Sequence, residues 1–204
     1  FRSDSYVREQ VARNSSTPID IINSLVADAE MNVRLGVAER RGDGVETTLA
    51  NINKLAKDPT MMVRRAVLKH ARVPSIVLTE LAFDTLPAVR IAVAEHPYCP
   101  IPIFKLLSED RDADVRKAVA RNRATDHDTL LRLARAEDPE LRATLATNRD
   151  LPPDVVEVLA FDKNERVRYA LANSFPRGSR RRARRGCSPR ARTRRSFRTW
   201  PCSK

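Results

Sequence analysis

A dipeptide returns along this chain at a nearly fixed interval. It is Val-Arg, once Leu-Arg, at Val7-Arg8, Val33-Arg34, Val63-Arg64, Val89-Arg90, Val115-Arg116, Leu141-Arg142 and Val167-Arg168, with spacings of 26, 30, 26, 26, 26 and 26 residues. A period of this length marks a repeat architecture, in which one unit cannot bury its own apolar face and stacked neighbours bury a continuous core. With the Val as position zero, position four holds Val11, Val37, Val67, Val93, Val119, Leu145 and Leu171. Position five holds Ala in every repeat but one, Leu68 being the exception. Position seven holds Asn14, Arg40, His70, His96, Asn122, Asn148 and Ser174. Position eleven is Pro18, Pro74, Pro100 or Pro152, with Asp126 in the fifth repeat, and position eighteen is Leu25, Leu81, Leu107, Leu133 or Leu159, with Leu55 four residues late in the second repeat.

Each repeat reads as two short helices. Positions zero, three and four share one helix face, so Val, a small residue and Val form a buried stripe. Asn or His at position seven suits a helix end in the left-handed conformation. The proline at eleven suits the first turn of a second helix, with Thr17 and Thr125 before it as N-caps. That second helix has eight to ten residues at most, as a 3₁₀ or short α-helix. Asp28, Asp58, Asp84, Asp110 and Asp162 open the turn into the next repeat, and Asp58-Pro59 and Asp138-Pro139 read as an N-cap followed by Pro at the first helical position. No stretch alternates with the period of two that strands require. The expectation is an all-α, right-handed or near-straight α-solenoid of about six to seven two-helix repeats over residues 1–176, with no β-sheet.

Charge divides the chain unevenly. The net charge is +12, but residues 177–204 carry 12 of the 38 Lys and Arg and no Asp or Glu, which leaves 26 basic against 26 acidic residues in the rest. The body is therefore neutral. That confines any nucleic-acid contact driven by net charge to the tail. Three cysteines exclude a disulfide scaffold. No run of 18 apolar residues is present, so no membrane-spanning helix is expected. With no secretory pattern either, the expected setting is cytoplasmic.

The pattern V-R-x-A-V-A-x-N/H carries a resemblance. It is best seen in Val89-Arg90-Ile91-Ala92-Val93-Ala94-Glu95-His96 and in the stretch Val115 to Asn122. It resembles the leucine-rich repeat variant family, among the HEAT-like and armadillo-like helical repeats. The resemblance covers about residues 5–176 and implies a superhelix of alternating α and 3₁₀ helices. One branch of that family carries a Cys-rich iron–sulfur cluster ahead of its repeats. Residues 1–6 hold no cysteine, so no cofactor is expected.

Three segments stand outside the period. The chain opens on Phe1, as a processed chain or a fragment would. The second repeat is longer by four residues at Arg41-Gly42-Asp43-Gly44, read as a surface loop, its Arg-Gly-Asp tripeptide notwithstanding. From residue 177 the composition turns to Arg, Ser, Pro and Gly without periodicity. Three readings stay open for this tail: a basic arm for nucleic acid or an acidic partner, an Arg-rich targeting segment, or an out-of-frame translation. In each it is expected to be disordered.

Candidate chemistry is sparse. The arginine at position one (Arg8, Arg34, Arg64, Arg90, Arg116, Arg142 and Arg168) forms a ladder that would meet phosphates, or that pairs internally with the Asp six residues upstream, as in Asp28–Arg34 and Asp84–Arg90. The internal reading explains the spacing better. His70 and His96 read as helix ends, His127 as a linker residue, and Cys99 as small packing. Asp110, Asp112 and Asp114 begin like a calcium loop, but Val115 and Arg121 stand where its Gly and Glu belong, so they read as a solvated turn. No catalytic, cofactor-binding or metal residues are assigned.

Positions two and six vary from repeat to repeat while sharing one helix face. The partner-binding candidates are therefore Arg65, Lys69, Ile91, Glu95, Lys117 and Arg121, a mixed patch that suits a protein better than a phosphate backbone. The expectation is a monomeric, non-enzymatic scaffold for a protein partner. Its rivals are nucleic-acid binding through the arginine ladder and tail, as in HEAT-like DNA glycosylases, and a HEAT-like lyase-associated protein. The only Trp, Trp200, lies in the tail, which weakens the glycosylase version.

Overall fold

A computed structural model describes residues 4–40, 49–70 and 73–174. Described residues form helices in pairs: α1 (Ser5–Arg13) with α2 (Ile19–Leu25), α3 (Met31–Glu39) with α4 (Leu49–Leu55), α5 (Met61–Val67) with α6 (Ser75–Ala82), α7 (Pro87–Ala94) with α8 (Ile101–Leu107), α9 (Ala113–Arg121) with α10 (His127–Ala134), α11 (Pro139–Leu145) with α12 (Pro153–Ala160), and finally α13 (Glu165–Ser174). Among these residues no strand occurs. The first helices stack in sequence, α1 on α3 and so on to α13, and each second helix packs against its own repeat's first helix or the next one. The result is the expected all-α repeat solenoid. The Arg41–Gly44 insertion and the tail, with the 176/177 boundary drawn for it, lie outside the described residues.

The apolar register explains the stacking. Val33, Val63, Val89, Val115 and Val167 at position zero and Val37, Val67, Val93, Val119 and Leu145 at position four are fully buried. So are Leu25, Leu55, Leu81, Leu107, Leu133 and Leu159 of the second helices. Small residues at position five let adjacent first helices approach closely. The approach is tightest at Gly36, where an added Cβ would come within 3.1 Å of the Ala12 Cβ.

Three local expectations are corrected. First, of the two forms left open for the second element the described residues take the short α-helix, of seven or eight residues, and not the 3₁₀ helix that the family resemblance implies. The carbonyl that opens α2, on Pro18, accepts from both Ile21 N–H (3.1 Å) and Ile22 N–H (3.2 Å), so the helix goes straight into an α-turn. Second, the prolines at position eleven are the N-caps themselves, one residue before the helix. Thr17 and Thr125 instead donate their hydroxyls back to the carbonyls of Val11 and Val119, each at 2.7 Å, closing the preceding helix. Asp138 does cap α11 ahead of Pro139, whereas α5 is capped at Thr60 rather than Asp58.

Third, position seven is not left-handed. Asn14 (φ −72°, ψ 119°), Arg40 (φ −58°, ψ 125°) and Asn122 (φ −71°, ψ 130°) are extended. The side chain explains this. The Oδ1 atoms of Asn122 and Asn148 accept the N–H two residues on, at 2.9 and 3.0 Å, an Asx turn that needs no positive φ. Their Nδ2 groups donate back one repeat, from Asn122 to the carbonyls of Ala94 and His96 and from Asn148 to those of Ala120 and Asn122. His96 does the same with a ring: Nδ1 accepts from Tyr98 N–H and Nε2 donates to the His70 carbonyl, which fixes the Nε2–H tautomer. One side chain thus makes the turn and ties the repeat to its predecessor.

Replacing Leu107, 1% exposed and centred in the stack, by Ala is expected to cost about 2–5 kcal/mol, measured as a lowered urea midpoint.

Candidate functional site

The arginine row lies at the other end of the first helices, and its carboxylate partners differ from the expected ones. Five of the seven arginines reach forward to the Asp after their repeat's second helix. Arg8 Nε meets Asp28 Oδ2 at 2.7 Å and Nη2 meets Oδ1 at 3.1 Å. Arg34–Asp58, Arg64–Asp84, Arg90–Asp110 and Arg142–Asp162 repeat this two-pronged contact, with Nε–Oδ2 distances of 2.6, 2.6, 2.7 and 2.6 Å. The Asp six residues upstream is met through its backbone. Nη1 of Arg34, Arg64, Arg90, Arg116 and Arg168 donates to the carbonyls of Asp28, Asp58, Asp84, Asp110 and Asp162. The reason is local. Each Asp Oδ1 also accepts the N–H two residues ahead, at 2.8–2.9 Å. That Asx turn aims the carboxylate at the preceding arginine and leaves only the carbonyl for the following one. Every such turn is gripped by two arginines, and the grips chain the repeats together.

The electrostatics follow the geometry. The hydrogen bond from its arginine holds Asp28, and likewise Asp162, below the ordinary carboxylate value of 3.8. Burial alone would raise Asp58, Asp84 and Asp110, but the guanidinium and backbone donors outweigh it and these are lowered too. A depressed folded-state pKa stabilises the fold above the unfolded value. That stability is fully present above about pH 4 and is lost as pH falls through the depressed values.

One rung departs from the pattern. Ala136 occupies the position that holds Asp in repeats one to four and six, and Arg116 keeps only the backbone part of its contact, to the carbonyls of Asp110 (2.7 Å) and Arg111 (3.2 Å). For Arg168 the corresponding position, Ser188, lies outside the described residues.

The variable row is arranged differently. Arg65, Lys69, Glu95 and Arg121 are exposed, while Ile91 and Lys117 are half-buried. Two charge pairs run across the repeats here, Arg13 and Lys69 both reaching Glu39, at 2.9 and 3.1 Å, while Lys117 lies 3.7 Å from Asp114 within α9. Arg65 and Arg121 stand with no ion pair recorded to a described residue. Exposed apolar side chains occur apart from this row, among them Phe83, Tyr98, Ile101 and Phe161.

Other candidates settle into structural places. Asp110 is clamped by Arg90 and Asp112 caps α9 through the N–H groups of Asp114 and Val115, so the acidic triplet is a hydrogen-bonded turn rather than a solvated one. Cys99 is buried, and burial pushes its thiol up to about 12. Arg40 is buried, its Nη2 donating to the carbonyls of Ser15 and Thr17, and burial lowers its pKa. His127 is not in a linker. It opens α10, and its Nε2 lies 2.7 Å from Asp154 Oδ2 in the next repeat. Among the described residues no cluster of three His, Cys, Asp or Glu side chains is placed to hold a metal ion, and no helix is long and apolar enough to cross a membrane.

The repeated helix pairs and their two hydrogen-bonded edges define an all-α repeat solenoid. Residues 114–175 match the family model described as Leucine Rich Repeat Variant domain. Among solved structures, the chain is similar to one described as a leucine-rich repeat variant with a novel repetitive protein structural motif. The TM-score is 0.63 at 26% identity, covering 85% of this chain and 67% of that one. No curated protein matches. The resemblance to the leucine-rich repeat variant family, read from the Val-Arg pattern, is borne out.

Sequence reasoning found the arginine row but assigned its carboxylate partners one turn too early. It passed over the odd rung, although the signal was present: the series Asp28, Asp58, Asp84, Asp110, Asp162 skips the fifth repeat. It also missed the cross-repeat bonds of Asn122 and Asn148, since Asn at a helix end has a sufficient local explanation.

Replacing Arg90 by Ala strands the Asp110 carboxylate, whose side chain is only 9% exposed. The expected loss is about 3–5 kcal/mol. Replacing Arg166, paired with Glu140 through side chains 78% and 61% exposed, costs less than about 1 kcal/mol. Chemical denaturation of the two variants reads the difference.

The hydrogen bond to Asp154, then that to Asp128, raises the pKa of His127 above 6.5. The group therefore adds stability below its unfolded value and loses it as pH rises through the folded one. An NMR titration of the His127 ring is expected to give a value above 6.5 that falls toward 6.5 in Asp154→Asn.

Proposed function

We propose that this chain is a non-enzymatic scaffold that binds a protein partner through the exposed first-helix row carrying Arg65, Lys69, Ile91, Glu95, Lys117 and Arg121. One observation carries the reading. The row that repeats unchanged, the arginines, is engaged in intramolecular hydrogen bonds, and the row that changes from repeat to repeat is exposed at Arg65, Lys69, Glu95 and Arg121 and half-buried at Ile91 and Lys117. Positions that hold the stack together must recur, whereas a partner imposes its own chemistry unit by unit. The mixed charge of the row, with Glu39 and Glu95 among the cations, suits a protein surface that carries both signs. It suits a phosphate backbone poorly, because binding there grows with the number of cations freed to neutralise phosphates. The neutral body points the same way, and the five arginines Arg8, Arg34, Arg64, Arg90 and Arg142 already hold carboxylates.

The test is a capture experiment on the full chain with crosslinking and mass spectrometry, comparing it with Arg65→Glu/Arg121→Glu. A partner crosslinked to the row in the parent and lost from the folded variant is the expected outcome. Duplex DNA binding measured over a salt series is expected to be unchanged by the same pair of substitutions. A DNA affinity that falls with them, together with a reduced salt slope, would put nucleic acid on the row and overturn the reading.

A further inference from the structure

Grooves open at the turns that follow α4, α8 and α10, and an arginine of the ladder lies in each. The groove with Arg34 and Asp58 measures about 420 Å³ and the one with Arg90 and Asp110 about 520 Å³. The groove with Arg116 and Ala136 measures about 790 Å³. It is larger where the carboxylate is missing. The other described rungs show what belongs at such a guanidinium edge: an Asp presented by a tight turn, with Nε on one carboxylate oxygen and Nη2 on the other. In the fifth repeat Nη1 of Arg116 is anchored on the backbone like its counterparts, which fixes the guanidinium plane. Among the described residues no carboxylate meets its Nε and Nη2.

We propose that this groove is a docking site for a partner protein, which inserts an Asp carried on a turn and completes the rung from outside. The inference rests on the scaffold reading and adds a second contact, at the second-helix side. The chemistry is set by the site itself. A fork of two N–H donors held in plane matches a carboxylate in two-pronged geometry. Leu131, Ala136 and Leu141 line the groove beside Arg116, so the residues flanking the incoming Asp are apolar. In the filled rung of Arg142 the segment with Asp162 has this character, Leu159-Ala160-Phe161 leading into the Asp. A phosphodiester chain fits less well. Asp128, Glu137 and Asp138 line the groove together with Arg116, Arg132 and Arg135, so an extended polyanion would meet as many acidic as basic side chains, whereas a single carboxylate needs only the Arg116 fork. The chain's own residues 177–204 supply no Asp or Glu, so they do not offer the side chain the rung lacks.

The test uses the full chain labelled with ¹⁵N, following the Arg116 Nε–Hε resonance. The probe is a synthetic, amidated six-residue peptide with the sequence of residues 159–164, compared with the same peptide carrying Asp162→Asn. Saturable shifts with the Asp peptide and at least tenfold weaker ones with the Asn peptide are expected. The variant Ala136→Asp supplies the missing carboxylate internally. It is expected to fold, to move the Arg116 resonance without ligand, and to abolish peptide binding. Equal binding of the two peptides, no binding of either, or undiminished binding by Ala136→Asp would overturn the proposal. So would inorganic phosphate shifting the resonance as strongly as the Asp peptide. Peptide binding that fails while capture through Arg65 and Arg121 persists removes the groove alone. Peptide binding that persists while row substitutions leave capture unchanged removes the row alone.

Discussion

The structure depends on an arginine that holds two turns at once. Its Nε and Nη2 take the carboxylate of the turn ahead, and its Nη1 takes the carbonyl of the turn behind. Neither contact by itself explains a repeat of fixed length. Together they set the distance between consecutive turns, because one rigid planar group must span both. The Arg34–Asp58 rung shows how strict this is. Four extra residues in the second repeat raise the sequence separation to 24, yet the Nε–Oδ2 distance stays at 2.6 Å. The insertion is absorbed upstream of α4, and the geometry of the rung is unchanged.

Hydrophobic burial supplies the attraction between repeats but little of the alignment. The interior is mostly Val, Leu and Ala, with Phe104 and a few Ile, and one layer of such residues packs on another with small differences in energy. Alignment comes from the polar edges. At one end of the first helices stand the Arg–Asp rungs; at the other, Asn122, Asn148 and His96 donate to the carbonyls of the repeat before. A slip of one residue would leave buried donors without acceptors at both ends, and an unpaired buried polar group costs more than a made hydrogen bond gains. The weakly discriminating core is thereby held in a single register.

The period made the fold legible before any coordinate was considered, since six Val-Arg pairs and one Leu-Arg, at spacings of 26 residues and once 30, admit few arrangements. The buried stripe of positions zero, three and four was legible in the same way, whereas the burial of position five, at Ala12, Ala38, Leu68, Ala94, Ala120 and Ala146, shows only in the stack. What stayed hidden was pairing across repeats. Arg34 has an Asp six residues upstream and another 24 downstream, and sequence proximity favours the first. Only the direction of the Asx turn decides for the second. The same limit hid the role of Asn148, whose local turn and distant carbonyls are served by one amide. The functional row was legible only as variability within a face, which says where a partner would sit and nothing of its identity.

A ladder of equivalent rungs also changes what a single deviation means. In a globular core, losing one carboxylate would be offset by rearrangement around it. In a stack where each repeat touches only its neighbours, the loss stays where it occurs. The fifth repeat shows this: the rungs of Arg90 and Arg142 on either side keep Nε–Oδ2 distances of 2.7 and 2.6 Å, and Arg116 between them retains its backbone anchor. The scaffold thus tolerates an incomplete rung without losing its alignment. It can expose a pre-oriented guanidinium at one chosen repeat, at an energetic cost confined to that repeat.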